Sequence, residues 1–301
     1  MKYLSLFSGV GGFELGIQEA YENIESRTIK RQRDISDSIS RDSWLQHGTC
    51  IGFSEIDKYA TKVYKHHFPN HKEYGDITNI NPTLLPDFDL LCGGFPCQSF
   101  SIAGKRRGFE DTRGTMFFEI ARIVKEKQPR LLLLENVKGL LSHDKGRTFF
   151  TIISTLDELG YDLEWQVLNS KNFGVPQNRE RVFIIGHLRG TPRPEVFPIT
   201  KQSNENSTVG ESTETTVARA LTGGGNSGGN HSGMTIIQEN KPIVTDSTRI
   251  RRLTPLECER LQGFPDNWTN VEGMSDTQRY KQMGNAVTVN VVRAVIENML
   301  K

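Results

Sequence analysis

The chain has 301 residues, 36% of them hydrophobic and 24% charged, with a formal net charge of +1. This balance fits one large core with a smaller domain beside it and excludes a chain disordered over its bulk. No apolar run approaches the roughly 18 residues of a membrane span, and the four cysteines (Cys50, Cys92, Cys97, Cys258) form neither a CxxC pair nor a His-spaced set, so the chain reads as cytosolic, with no metal site and no disulfide framework.

From Tyr3 to Gly186 apolar strands alternate with amphipathic helical patterns, which predicts an α/β fold with a mostly parallel sheet covered on both faces. A first strand over residues 3–7 runs through Ser8-Gly9-Val10-Gly11-Gly12 into a helix starting near Phe13. Residues 25–46 turn polar and mixed in charge without a sustained apolar period, which predicts a surface insertion. Strands follow at 50–54, 89–92, 130–134, 163–169 and 182–187, with helices at 58–67, 115–127 and 148–159. From Leu188 to Ser247 helical periods vanish into a Ser/Thr/Asn/Glu-rich stretch and the run Leu221-Thr222-Gly223-Gly224-Gly225. Two readings stand there: a flexible linker, or a small loop-rich recognition domain whose glycines permit close approach to a ligand. Order returns at Thr254-Pro255, a helix cap followed by proline at the first helical position. A last helix over 286–300, apolar on one face, returns to the large domain. The expected division is 1–187 with 274–301 for the large domain and 188–273 for the small one.

The glycine turn after the first strand can present amides to a nucleotide-like ligand, or can serve strand-to-helix packing alone. Glu55 ends the second strand, where an acid commonly bonds ribose hydroxyls. Asp76 either accepts from an adenine amino group or caps a short helix. Without a Walker lysine pattern, these residues suit a nucleoside cofactor better than a phosphate-rich one.

Cys97 lies in Gly93-Gly94-Phe95-Pro96-Cys97-Gln98-Ser99, a loop at the C-terminal end of a buried strand, where open α/β sheets bind ligands. It is either a displayed nucleophile or a small buried hydrophobe. Glu135 directly follows Leu131-Leu132-Leu133-Leu134. Near a dry interior its pKa rises and the protonated acid is favoured, which would pair an acid with the thiol; its plainer role is a helix cap. Basic clusters at 105–107, at Arg179 and Arg181, and at Arg249, Arg251 and Arg252 are either solvated patches or one nucleic-acid face.

Five stretches in this order, Phe7-Ser8-Gly9-Val10-Gly11-Gly12, Gly94-Phe95-Pro96-Cys97-Gln98, Glu135-Asn136-Val137, Gln177-Asn178-Arg179-Glu180-Arg181 and Gln282-Met283-Gly284-Asn285, resemble the motif series of the DNA cytosine-5 methyltransferases of bacterial or phage type. The resemblance implies a Rossmann-like S-adenosylmethionine-dependent methyltransferase sheet with a second, smaller, loop-rich target recognition domain. It further implies transfer of a methyl group from S-adenosyl-L-methionine, leaving S-adenosyl-L-homocysteine, to C5 of a cytosine flipped out of duplex DNA at a cost of a few kcal/mol. On this carry-over Cys97 adds to C6, Glu135 contacts N3 and the exocyclic amine, Arg181 holds the base near Glu135, and Arg179 contacts the flanking backbone or assists the same site. Phe7, Ser8, Gly9, Gly11, Gly12, Glu55, Ile56, Asp76, Ile77, Pro96, Asn285 and Val287 would line the cofactor pocket. Gln98, Ser99 and Arg107, in a stretch resembling the loop that closes over the base, and Leu221, Thr222 and Gly223 in the recognition segment would meet DNA, the latter in the major groove.

The partners implied are double-stranded DNA and a cognate restriction endonuclease acting separately, with the enzyme itself a monomer off the membrane. Three departures from the family pattern stand out: Ser5 where many relatives carry an acid, the 25–46 insertion, and only Ala220-Leu221-Thr222 in place of the usual Thr-Leu pair. A tRNA cytosine methyltransferase and an inactive sequence-specific DNA-binding protein are the alternatives. The long recognition segment favours DNA, and intact Cys97, Glu135, Arg179 and Arg181 favour an enzyme.

Overall fold

Four consecutive leucines, Leu131 to Leu134, are all fully buried because their strand is covered on both faces. They belong to a six-stranded sheet in the computed structural model, which describes residues 1–33, 48–96, 116–199, 218–219, 236–239 and 249–301. The strands are β1 (Lys2–Leu6), β2 (Thr49–Ser54), β3 (Leu90–Gly94), β4 (Leu131–Val137), β5 (Tyr161–Asn169) and, after the two-residue β6 (Gln177–Asn178), β7 (Glu180–Leu188). Their order is β2-β1-β3-β4-β7-β5. β1 is parallel to β2 and β3, and β3 to β4, while β7 is antiparallel to both β4 and β5. Five strands therefore run one way and β7 alone runs back, so the sheet is mostly parallel, as expected.

Side-chain alternation along β4 sorts the leucines into two cores. Leu131 and Leu133 face α1 (Gly12–Arg33) and α7 (Val289–Met299), with Phe13, Ile17, Val292 and Val295. Leu132 and Leu134 face α3 (Met116–Lys127) and α4 (Arg147–Glu158), with Phe117, Ile120, Ile152 and Leu156. Between α1 and α7 the contact is close at Gly16, where a Cβ would stand 2.7 Å from Val292. A third core joins Val10 and Leu15 to Ala60 and Val63 of α2 (Lys58–His67), to Cys258 and Leu261 of α5 (Pro255–Leu261), to Phe264 and Trp268, and to Met283 of α6 (Asp276–Asn285).

Two expectations need correction. The polar stretch beginning at residue 25 is not wholly an insertion, since α1 continues to Arg33. Asn23 and Arg27 reach Glu297 of α7 at 2.9 and 3.1 Å, so this part of the helix is held by polar pairing that leaves no apolar period. Residues 34–47 lie outside the described residues. Second, the last helix starts three residues later than expected: Ala286 is extended, and α7 begins at Val289. At the two ends of 188–273, Val196 and Phe197 sit in the first core, and 253–268 supplies much of the third. Between these stretches the described residues are β8 (Ala218–Arg219), parallel to β6, and the antiparallel pair β9 (Ile236–Glu239) and β10 (Arg249–Arg252). The cap at Thr254 is present as a full capping box with Glu257, and Pro255 opens α5. Among the described residues no helix is long and apolar enough to cross a membrane.

Candidate active site

The parallel register of β3 and β4 sets Gly94 beside Glu135. A Cβ on Gly94 would lie 2.9 Å from Glu135 Oε2, so glycine is what lets the carboxylate occupy this strand end. On the other side, β7 places Phe183 opposite Glu135 and Arg181 opposite Val137. Residues two apart on a strand share a face, and Arg181 therefore reaches Glu135 diagonally, with Nε 3.1 Å from Oε1. Both side chains are largely buried. Burial pushes the Glu135 carboxyl above its ordinary value, against the opposing pull of the Arg181 and Arg179 charges. The group is thereby biased toward holding a proton.

Asn136, on the opposite face, donates from Nδ2 to the Phe95 carbonyl at 2.8 Å, and its Oδ1 accepts from the Val137 amide. The stretch leading to Cys97 is thus tied to β4 next to Glu135. Phe95 is buried and Pro96 exposed. Cys97, Gln98, Ser99 and Arg107 lie outside the described residues, as do Leu221, Thr222 and Gly223 and the whole 105–107 cluster.

Arg179 is 2% exposed, and its Nη2 donates to the carbonyls of Gly284 and Ala286 at 3.1 and 2.8 Å. The guanidinium thereby clamps the turn between α6 and α7 on either side of Asn285. Ser170 adds to the clamp, its amide donating to the Arg179 carbonyl and its hydroxyl lying 2.8 Å from Thr288 Oγ1.

The second half of the site is the turn after β1. Phe7, Gly9 and Gly11 have φ of 53°, 56° and 91°, a left-handed alternation that only glycine adopts freely. Ser8 N donates to the Ser54 carbonyl, Gly9 N to Glu55 Oε2 at 2.8 Å, and Gly11 N to the Ser8 carbonyl. Glu55 Oε1 also accepts from the amides of Ile56 and Asp57 at 2.8 and 2.7 Å. Beside this acid the Ile56 side chain is 76% exposed. A Cβ on Gly9 would meet no atom within 4 Å, so the outer face of the turn is open.

The other expected pocket residues differ in what they face. Ser8 is buried, and its hydroxyl donates to Ser5 Oγ at 2.9 Å, so it anchors the turn from within. Gly11 and Gly12 are packing glycines: a Cβ would stand 2.5 Å from the Phe68 ring and 2.8 Å from Val287 Cγ1. The Ile77 side chain is in the core and leaves only its main chain available to a ligand. Asp76 does cap the short 3-10 turn Ile77–Asn79, as its plainer reading had it, with Oδ1 accepting from the Thr78 amide and hydroxyl at 2.9 Å. Asn285 is exposed and Val287 buried against Gly12.

A family model described as C-5 cytosine-specific DNA methylase matches residues 1–231 and 217–301. The chain belongs to this family. It is 39% identical over 331 aligned residues to the Type II methyltransferase M1.ScrFI of Lactococcus lactis subsp. cremoris, covering 100% of this chain and 78% of that one. With the Type II methyltransferase M.HhaI of Haemophilus parahaemolyticus it shares 32% identity, covering 99% and 94%. Among solved structures, the S. pombe Dnmt2 methyltransferase superposes with a TM-score of 0.70 at 19% identity, over 100% of this chain and 98% of that one, which shows the shared fold. As a cytosine-5 DNA methylase the protein is an enzyme that uses S-adenosylmethionine to methylate cytosine in DNA.

Sequence reasoning missed several residues that shape the site. Trp268 donates its indole N–H to the Val10 carbonyl at 2.8 Å. Gln262 binds the Met283 carbonyl and the Thr288 hydroxyl at 2.7 and 2.8 Å. Glu14, at the start of α1, is buried beside Tyr64. None of these carries a local signal, because each acts across a long sequence separation.

Proposed function

We propose that the protein methylates C5 of a cytosine flipped out of a short duplex DNA sequence, through a covalent bond between Cys97 and C6, with Glu135 as the acid that activates the ring. The observation that carries this reading is the Glu135 carboxyl, biased toward its protonated form, paired with Arg181 and seated over Gly94, three residues before Cys97.

Cytosine C5 is a poor nucleophile. The Cys97 sulfur adds to C6 as the C5–C6 double bond opens, while the Glu135 proton goes to N3 and keeps negative charge off the ring. C5 then carries the electron density of an enamine. After methylation, a base takes the C5 proton, the C5–C6 double bond reforms as the thiolate leaves, and N3 returns its proton to Glu135. Arg181 fixes the carboxyl in place and holds the base against it. Arg179 acts through the turn it clamps.

The residues around the first turn fit S-adenosylmethionine. They offer the Glu55 carboxylate for a ribose diol, the exposed Ile56 side chain for an apolar ring, Asp76 for an amino group and the open outer face at Gly9, with no lysine or arginine in the turn to call for phosphate. Phe7, Pro96, Asn285 and Val287 complete the lining in this reading. Bound there, the cofactor supplies an electrophilic methyl group.

Residues 188–273 are the proposed recognition domain, following β7, with its β8 paired to β6. The Type II names of the relatives support a role in restriction and modification; in this reading a separate endonuclease cuts the same sequence, and the methylase acts as a monomer in the cytoplasm. Incubation with genomic DNA and S-adenosylmethionine followed by bisulfite sequencing tests the reading. It predicts 5-methylcytosine at one short sequence, abolished by Cys97→Ala; methylation that persists in that variant would overturn it.

A further inference from the structure

The Val10 peptide occupies an unusual place. It lies between Gly9 and Gly11, both left-handed, so no helix or strand ladder fixes its orientation. The N–H of this same planar unit, that of Gly11, donates to the Ser8 carbonyl at 3.0 Å, and the Gly9 amide donates to Glu55. The Val10 carbonyl, by contrast, is held from the far end of the chain, by the indole N–H of Trp268 at 2.8 Å, in a buried bond spanning 258 residues.

That donor is itself fixed by groups outside the turn. His67 stacks on the indole with centroids 3.5 Å apart and planes 6° from parallel. Its Nε2 lies 2.7 Å from the Trp268 carbonyl; a carbonyl only accepts, so Nε2 carries the hydrogen. The amides flanking Trp268, those of Asn267 and Thr269, donate to the fully buried Glu259 carboxylate at 2.8 and 2.9 Å, and Arg279 pairs with the same carboxylate at 3.1 Å. Phe264 and Phe68 close the remaining sides of the ring. The indole is therefore preorganised, and it stands behind a turn whose other face, at Gly9, is open.

We infer that Trp268 is a positioning residue for the cofactor turn: its N–H on the Val10 carbonyl, together with the Gly11 N–H on the Ser8 carbonyl, holds this peptide in the orientation that leaves the outer face shaped for S-adenosylmethionine. The inference rests on the proposed use of residues 7–12 as the cofactor turn. It ties the segment around Trp268 to cofactor affinity, because a buried carbonyl left without its donor drives the peptide to reorient toward another partner. The turn then distorts before any ligand arrives, and binding carries the cost of restoring it.

The test is calorimetric titration of the full-length protein with S-adenosylhomocysteine, alongside steady-state kinetics. Trp268→Phe keeps an aromatic ring in the stack and removes the N–H. It is expected to raise Kd for S-adenosylhomocysteine and KM for S-adenosylmethionine about tenfold, as loss of one buried hydrogen bond does, with kcat at saturating cofactor and Kd for DNA within about twofold of the parent. Cys258→Ala trims the same third core from α5 without touching the Val10 bond and is expected to leave cofactor binding unchanged. Should Trp268→Phe fold poorly, 3-benzothienylalanine at position 268 replaces the N–H with sulfur in a ring of the same shape and gives the same readout. Unchanged cofactor binding on loss of the N–H, or equal weakening by Cys258→Ala, would overturn the inference. Failure of the parent protein to bind S-adenosylhomocysteine would instead defeat the cofactor reading itself.

Discussion

Glu135 and Gly94 are register partners on adjacent parallel strands, close enough that a single added methyl group on Gly94 would stand 2.9 Å from the Glu135 carboxylate. The obstructing atom is the end of a side chain, which can move, so Gly94→Ala is expected to fold. The carboxyl would give way and lose its alignment with Arg181. We expect a melting temperature within a few degrees of the parent and a kcat lowered at least about tenfold, since small displacements of positioned groups are costly in catalysis. Comparing calorimetric melting with single-turnover methylation checks this; full activity would show that the seat over Gly94 does not matter.

Glu135→Gln keeps the shape of the side chain and removes its acidic proton. General acid catalysis typically contributes about 10² to 10⁴ in rate, and a fall in kcat of that size is expected, with cofactor affinity unchanged. Rapid-quench kinetics on a short duplex would measure it.

Arg179 separates clamping from phosphate binding. Arg179→Lys cannot reproduce the guanidinium contacts to Gly284 and Ala286. It should lower the melting temperature and raise KM for S-adenosylmethionine through the turn at Asn285. The dependence of DNA affinity on salt should stay as it was, whereas loss of a phosphate contact would reduce that slope by about one. Filter binding across salt concentrations distinguishes the two.

Glu14 makes a prediction about stability. Burial raises its carboxyl from 4.5 to about 7, and hydrogen bonds from Ser5 and Tyr64 only partly oppose this. Tyr3, Cys50, Cys92 and, through Tyr64, His71 surround it, and none is a cation that would favour the ionised form at neutral pH, because burial also lowers the pKa of His71. With the folded pKa above the unfolded one, the stabilising contribution is fully present below pH 4.5 and is lost as pH rises through about 7. Its size is on the order of 3 kcal/mol. Glu14→Gln should therefore remove a fall in stability between these pH values, and urea unfolding at several pH values would show the two curves diverging upward from pH 4.5. Parallel curves would contradict the assignment.

Much of the fold was legible because the strands are apolar on both faces: Leu131 to Leu134 reads as a buried strand however its neighbours are arranged. The continuation of α1 to Arg33 was not, since Asn23 and Arg27 are polar residues satisfied by Glu297 at the other end of the chain. In the site, Glu135 announced itself as an acid after four leucines. Arg179 and Arg181 look equivalent in sequence, yet one is clamped on carbonyls and the other faces the carboxyl. Only the turn from β6 into β7 separates their surroundings. Trp268 gave no sign of serving the first turn, because that bond exists only after the third core has formed.

The central claim is that Cys97 attacks C6 of a cytosine activated by Glu135. It is tested most directly with a duplex carrying 5-fluorocytosine, whose fluorine cannot leave as a proton does. With S-adenosylmethionine present, the account predicts a denaturation-resistant protein–DNA adduct, mapped by mass spectrometry to Cys97, absent in Cys97→Ala and formed at least about a hundredfold more slowly in Glu135→Gln. No adduct, or one on another residue, would contradict it.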